Sequence, residues 1–213
     1  FFTDRALKHV LAHGAQKPFD DVHPYYVVTE FASGDEVQEA AAMAAFEACM
    51  ENGWVSDGVI SQSDAQAAQL WRLREGITES LAPYKPYKND VSVRISAMPA
   101  FLQETQALLG EAYPHFEVVW FGHIGDGNLH INVLKPGDVS DADFVSQCEQ
   151  VTKLLAASLK KHGGSISAEH GIGLVREGYL ASTRSADELA LMRAMKRVFD
   201  PAGLLNPGKL FDT

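Results

Sequence analysis

Apolar and polar positions along this chain alternate between two periods. Helical spacing runs from Asp4 to His13, with Gly14 as a terminator. Pro24 to Ala32 reads as a strand. Asp35 to Asn52 then reads as a helix with Val37, Ala41, Ala44, Ala45 and Ala48 on one side and Gly53 as its stop; Phe46 falls off that stripe, which predicts two buried faces. Trp54 to Ile60 reads as a strand, Ser63 to Ala82 as a helix, Tyr87 to Ile95 as a strand, and Pro99 to Leu109 as a helix that accepts proline in its first turn. The β-branched and aromatic run Val118 to Phe121 predicts a strand, and Leu129 to Leu134 a second one folding back beside it. Asp141 to His162 is a long amphipathic helix with Phe144, Cys148, Val151, Leu155 and Ser158 on one stripe, ended by Gly163 and Gly164. A last helix, Ser185 to Phe199, is expected to pack through Leu189, Met192, Met195 and Phe199.

Strands and helices alternate, but the hairpin forces an antiparallel pair. The expectation is therefore α+β, an antiparallel sheet with helices on one face, ferredoxin-like rather than doubly wound. No linker, low-complexity segment or charge block interrupts the chain, and no Gly-x-Gly-x-x-Gly opens a helix after a strand, so a nucleotide cofactor is not bound by a fingerprint of this chain's own. At 213 residues and 46% hydrophobic composition, it can bury one substantial core or two small ones.

A net charge of -10 excludes a nucleic-acid backbone as partner, and any anionic substrate must find local positive charge. Cys49 and Cys148 stand alone, which fits a reducing compartment, the cytoplasm or an organelle matrix. No apolar run approaches the ~20 residues needed to span a bilayer. The sequence opens at Phe1 and enters a helical pattern at once, as expected of a piece of a longer protein.

The chemistry concentrates in Trp120-Phe-Gly-His-Ile-Gly-Asp-Gly-Asn-Leu-His-Ile-Asn-Val-Leu134. His123 ends the first strand, and Gly125, Asp126, Gly127 and Asn128 supply the turn. Alternation puts His130 and Asn132 on one face of the second strand and Leu129, Ile131 and Val133 on the other. Two histidines facing each other across a hairpin suggest a metal site. Catalytic zinc sites usually take three protein ligands. Glu169, in Gly163-Gly-Ser-Ile-Ser-Ala-Glu-His-Gly-Ile-Gly173, is the best third ligand, and it leaves His170 free as a general base with an unperturbed pKa near ~6.5. The alternative is that each histidine is an ordinary surface or hydrogen-bonded core residue. Histidine-triad nucleotide hydrolases also alternate histidines along a strand, but Asn132 stands where the next would fall.

A second polar cluster lies on the helix from Ser63, where Trp71, Arg74 and Thr78 recur on one face. Either Trp71 is core and Arg74 snorkels, or Arg74 clamps a carboxylate with Thr78 and Lys88 adding donors.

Three motifs in order, Gly122-His-Ile-Gly-Asp-Gly-Asn-Leu-His-Ile-Asn132, Ser167-Ala-Glu-His-Gly-Ile-Gly173 and Phe199-Asp-Pro-Ala-Gly-Leu-Leu-Asn-Pro-Gly-Lys209, resemble the C-terminal region of the FAD-linked oxidases related to vanillyl-alcohol oxidase, and within them the D-2-hydroxyacid dehydrogenases. The resemblance covers nearly the whole chain. It implies a cap domain over residues 1–213 that holds the substrate, while an N-terminal domain outside this sequence holds most of the FAD and receives the helical tail 171–213. It implies that His123, His130 and Glu169 bind a divalent metal, zinc or else manganese or iron, that His170 takes the hydroxyl proton, that Asn132 orients the substrate and that Asn206 approaches the flavin. Trp71-Arg-Leu-Arg-Glu-Gly-Ile-Thr78 with Tyr87-Lys88 resembles the D-2-hydroxyglutarate branch, in which Arg74, Thr78 and Lys88 would grip the distal carboxylate; D-lactate or glycolate is the alternative substrate. The chain departs from many relatives at Val93-Arg-Ile95, where Arg94 either faces solvent or supplements the clamp. Expected partners are a small 2-hydroxyacid, the chain's own FAD domain, an electron acceptor and a second copy of the protein. Two other classes compete: a self-sufficient metal hydrolase, for which no nucleophile motif is visible, and a non-catalytic anion-binding module built on Arg74.

Overall fold

The computed structural model of the chain describes every residue except Ser33, Val175, Asp212 and Thr213. It divides into two compact units, Phe1–Ser80 and Leu81–Thr213.

The first unit contains β1 (Phe2–Thr3), α1 (Asp4–Ala12), β2 (Tyr25–Tyr26), α2 (Glu36–Glu51) and α3 (Asp64–Glu75), and α4 (Ile77–Leu81) leads out of it. β1 and β2 pair antiparallel with Phe2 opposite Tyr26, their rings stacked 5.4 Å apart. The expected strand over Pro24 to Ala32 shrinks to two residues because its partner β1 is only two residues long before α1 begins. The stripe read on α2 is not buried: none of its residues is, and Val37 is 77% exposed. The half-buried positions are Ala42, Phe46 and Cys49, so the ring that fell off the expected stripe marks the inward side. No strand forms over Trp54 to Ile60. The amides of Trp54 and Val55 both turn back to the Cys49 carbonyl at the end of α2, which takes them away from any ladder. The single helix expected over Ser63 to Ala82 divides at Gly76 into α3 and α4, followed by a 3-10 turn over Ala82–Tyr84.

The second unit contains β3 (Tyr87–Ser92), α5 (Met98–Ala112), β4 (Val118–Phe121), β5 (Asn128–Val133), α6 (Asp141–His162), α7 (Leu180–Thr183) and α8 (Ala186–Phe199). β5 is central and antiparallel to both β3 and β4. This is the α+β arrangement expected. Val91, Leu129, Ile131 and Val133 are fully buried, and α6 packs against β3 and α5. Full burial of such side chains contributes about 1.5–3 kcal/mol each. All five positions read as the inward stripe of α6 are buried. On α5, Glu104 ties the two helices together by accepting hydrogen bonds from Lys161 Nζ (2.6 Å) and Ser158 Oγ (3.0 Å) and meeting His162 Nε2 at 3.0 Å; these contacts, led by Lys161, hold its carboxyl at about 2. β3 ends at Ser92 rather than Ile95. Arg94 is exposed, its guanidinium over Gly163 at the C-terminus of α6, where a cation suits the helix dipole.

The stripe expected on α8 is buried only at its start. Leu189 joins Leu180 and Phe211 in a small cluster with Met192 beside it, whereas Met195 is 63% and Phe199 78% exposed. The periodicity there is amphipathic, but the described residues cover only half of the apolar face.

Candidate metal and substrate site

The hairpin β4–β5 sets the site. Its register places Phe121 opposite His130, and β5–β3 places His130 opposite Asp90 and Asn132 opposite Lys88. Alternation therefore gives Lys88, Asp90, His130 and Asn132 one face of the sheet, as expected for His130 and Asn132, while the apolar residues line the other. Between the strands, Ile124–Asp126 forms a 3-10 turn closed by Gly127 at φ 70°, with the amides of Asp126 and Asn128 both donating to the His123 carbonyl. The turn is tighter than a glycine-rich loop needs to be. A Cβ on Gly122 would meet the Asn128 carbonyl at 2.1 Å, and one on Gly127 the Val93 carbonyl at 2.0 Å. These two glycines permit backbone approach that no other residue allows.

Glu169 and His170 arrive on an irregular segment rather than a strand. A single bridge, Ser92 to Ser165, starts its docking along β3, and the Ala168 amide continues it by donating to the Asp90 carbonyl at 3.2 Å. This brings His123 Nδ1 to 3.0 Å from Glu169 Oε1, which also accepts a 2.7 Å bond from Asn128 Nδ2. The rings of His123 and His130 lie 6.1 Å apart, and those of His130 and His170 6.3 Å apart. Burial pushes the Glu169 carboxyl up, but the His123 and Asn128 bonds outweigh it and leave its pKa below the ordinary value.

Beneath this exposed pair lies a buried one. Asp90 Oδ1 is 3.1 Å from His130 Nδ1, with side chains only 10% and 13% exposed. Asp90 Oδ2 accepts the amides of Glu169 (2.9 Å) and His170 (3.2 Å). Burial alone would raise the Asp90 carboxyl, but His130 and the two amides overcome it and hold the pKa at about 2.

Two overlapping sets of three side chains, His123–His130–Glu169 and Asp90–His130–His170, have ligand atoms close enough to share one ion. Two imidazoles and a carboxylate suit zinc or a neighbouring divalent transition metal. Bonds of about 2.0–2.2 Å put adjacent ligand atoms roughly 3–3.5 Å apart; His123 Nδ1 and Glu169 Oε1 are 3.0 Å apart and the His130 ligand atom lies within 4.8 Å of both, so the first set closes on such an ion with a small inward movement of His130.

The other expected residues fall as follows. Lys88 is exposed on the same sheet face as Asn132, which is buried. In the first unit, Arg74 is buried near the end of α3 and Thr78 exposed on α4, on either side of Gly76; Trp71 is half-buried and donates its indole N–H to Glu30. Asn206 is exposed in the left-handed region, φ 47°, in the turn before Pro207. Asp200 builds that turn by accepting the Leu204 and Leu205 amides, both at 2.8 Å. Sequence reasoning missed Asp90, Asn128 and Arg176. Arg176 donates to the Lys88 carbonyl at 2.9 Å and approaches Asn89 Oδ1, fastening the segment after His170 to β3. A charged residue two positions from Lys88 in a strand was the available signal for Asp90, but its role depends on cross-strand register.

Known proteins agree with this architecture. The family described as FAD linked oxidases, C-terminal domain, matches residues 1–210. A D-2-hydroxyglutarate dehydrogenase of Xanthomonas citri pv. viticola is 80% identical over 213 residues, covering 100% of this chain and 45% of that protein. One of Stutzerimonas stutzeri is 50% identical over 212 residues, 99% of this chain and 46% of its own length, and the mitochondrial one of Arabidopsis thaliana is 34% identical, 99% and 37%. The chain thus spans less than half the length of these relatives. Among the described residues no helix is long and apolar enough to cross a membrane. The chain belongs to the FAD-linked oxidases, as their C-terminal domain.

Proposed function

We propose that this chain is the substrate- and metal-binding part of an FAD-dependent dehydrogenase that oxidises D-2-hydroxyglutarate to the 2-oxoacid. The observation that carries this reading is the convergence of His123, His130, Glu169 and His170 at one end of the sheet, in a chain whose relatives bear that activity in their names. His123, His130 and Glu169 hold a divalent metal, zinc by preference, which when bound would lower the pKa of the substrate hydroxyl as a Lewis acid. His170 accepts the hydroxyl proton, and Asn132 orients the substrate above the sheet. FAD, bound mainly by an N-terminal domain, supplies the hydride acceptor. Arg74, Thr78 and Lys88 grip the distal carboxylate, a role suited to cations in a chain of net charge -10. Asn206, on the Asp200 turn, approaches the flavin, and the tail 171–213 packs on the FAD domain through the exposed side chains of Val198, Phe199, Leu204 and Leu205. α2, which buries no side chain, offers surface to a second copy in a cytoplasmic homodimer.

The test is a steady-state comparison in the full-length flavoprotein. Charge-assisted hydrogen bonds contribute roughly 1.5–3 kcal/mol each, so Arg74→Ala should lower kcat/KM for D-2-hydroxyglutarate by about tenfold to a hundredfold and leave D-lactate nearly unchanged. Elemental analysis should find one divalent metal per chain, lost in Glu169→Ala. Equal losses on both substrates would defeat the dicarboxylate reading, and D-lactate as the better wild-type substrate would replace it.

A further inference from the structure

We infer that Asp90 is the positioning residue of this site, a single carboxylate that sets the tautomer of His130 and the placement of both Glu169 and His170. The inference rests on the metal reading above for its consequence, but its geometry stands apart from it.

Three successive amides of the segment that carries Glu169 and His170 terminate on this one residue. Ala168 donates to its backbone carbonyl at 3.2 Å, Glu169 to Oδ2 at 2.9 Å and His170 to Oδ2 at 3.2 Å. That segment is neither strand nor helix, and among the described residues its other ties to β3 are the Ser92–Ser165 bridge and the bonds of Arg176. The other oxygen, Oδ1, is sealed from solvent and makes no hydrogen bond of standard geometry among the described residues; the His130 ring, with Nδ1 at 3.1 Å, is what faces it. A buried carboxylate oxygen left without a positive or donating neighbour is costly. The charge therefore favours the proton on Nδ1, and Nε2 is left with its lone pair. Neutral imidazole carries its proton on one nitrogen only, and the group at the other nitrogen selects which. Carboxylate, histidine and metal in line is a recurrent orienting arrangement. It also separates the two overlapping sets of possible ligands. Asp90 commits Oδ2 to two amides and turns Oδ1 toward a ring nitrogen, which makes it the support and leaves His123, His130 and Glu169 as the ligands.

The experiment uses the full-length protein stripped of metal, with histidine rings labelled with 15N and His130 assigned by its loss in His130→Asn. In the wild type the His130 ring should show the Nδ1–H tautomer, with Nε2 unprotonated. In Asp90→Asn, which keeps the shape but not the charge, that population should fall, and zinc affinity measured by competition with a chromophoric chelator should weaken by roughly 10- to 100-fold while circular dichroism shows an intact fold. An Nε2–H tautomer in the wild type would overturn the inference, as would unchanged zinc affinity in folded Asp90→Asn. If Asp90→Asn fails to fold, the wild-type tautomer decides. Wild-type protein that takes up no zinc, or Glu169→Ala that retains it, would instead defeat the metal reading, and the ring-nitrogen result would judge Asp90 by itself.

Discussion

Two carboxylate–histidine contacts meet at this site, and they differ in almost everything but chemistry. Asp90 and His130 are 3.1 Å apart with 10% and 13% of their side chains exposed; Glu169 and His123 are 3.0 Å apart with 37% and 45% exposed. The inner pair lies on adjacent strands in fixed register, and its carboxylate also carries two backbone amides. The outer pair joins a turn to an irregular segment, and its carboxylate also accepts a bond from Asn128. Equal distance does not mean equal strength, because solvent screens the outer pair and leaves the inner one nearly intact. Stability and positioning sit below, accessibility and exchange above.

The sharpest way to break this contrast is to delete the histidine of each pair. His130→Ala strands a buried carboxylate and should cost about 2–3 kcal/mol in thermal or urea unfolding of the metal-free protein, between the values for surface and fully buried pairs. His123→Ala should cost under about 0.5 kcal/mol. Both should abolish tight metal binding, so unfolding separates what metal content cannot. Similar unfolding costs would erase the distinction between inner and outer pairs.

Acid should expose the same asymmetry. The Asp90 pKa falls from 3.8 to about 2 on folding, so its stabilisation is complete above the ordinary carboxylate value and is lost as pH drops toward 2. A shift of that size corresponds to about 2 kcal/mol. With chelator present, Asp90→Asn should flatten the acid limb of the stability curve between about pH 5 and pH 2. Glu169→Gln, at a carboxylate lowered in the same direction but more exposed, should flatten it less. An equal effect of the two variants would mean that burial does not govern the difference.

The smallest effect on metal affinity tests the Asn128 bond to the outer carboxylate. Asn128→Ala removes the 2.7 Å donor to Glu169. It should weaken zinc binding by about three- to tenfold, read by chelator competition, and shift stability by about 1 kcal/mol, since a hydrogen bond to a charged group contributes little more than that when one partner is half in water.

The hairpin, its two histidines and the faces of β5 follow from period-two alternation and turn chemistry, and α6 follows from its heptad-like stripe. Those signals are local, and a local rule suffices when the partner surface is in the same unit. The apolar positions read on α2 and half of the stripe of α8 stay exposed, because periodicity states that a face is apolar without stating what covers it. Asp90 was hidden for another reason. Its meaning lies in being opposite His130 and under residues 168 to 170, which are 40 and about 80 positions away, and register of that kind is not written in any window of sequence.

The closure of the β4–β5 turn has an evolutionary side. Gly122 and Gly127 touch carbonyls of the neighbouring backbone, whereas a side chain on Gly125 would enter open space. A saturation library over 122 to 128 should therefore be intolerant at its two packed glycines and permissive at the glycine between them. Descendants of such a protein can retouch what the turn displays to an incoming ligand, but they inherit the path of the turn itself unchanged.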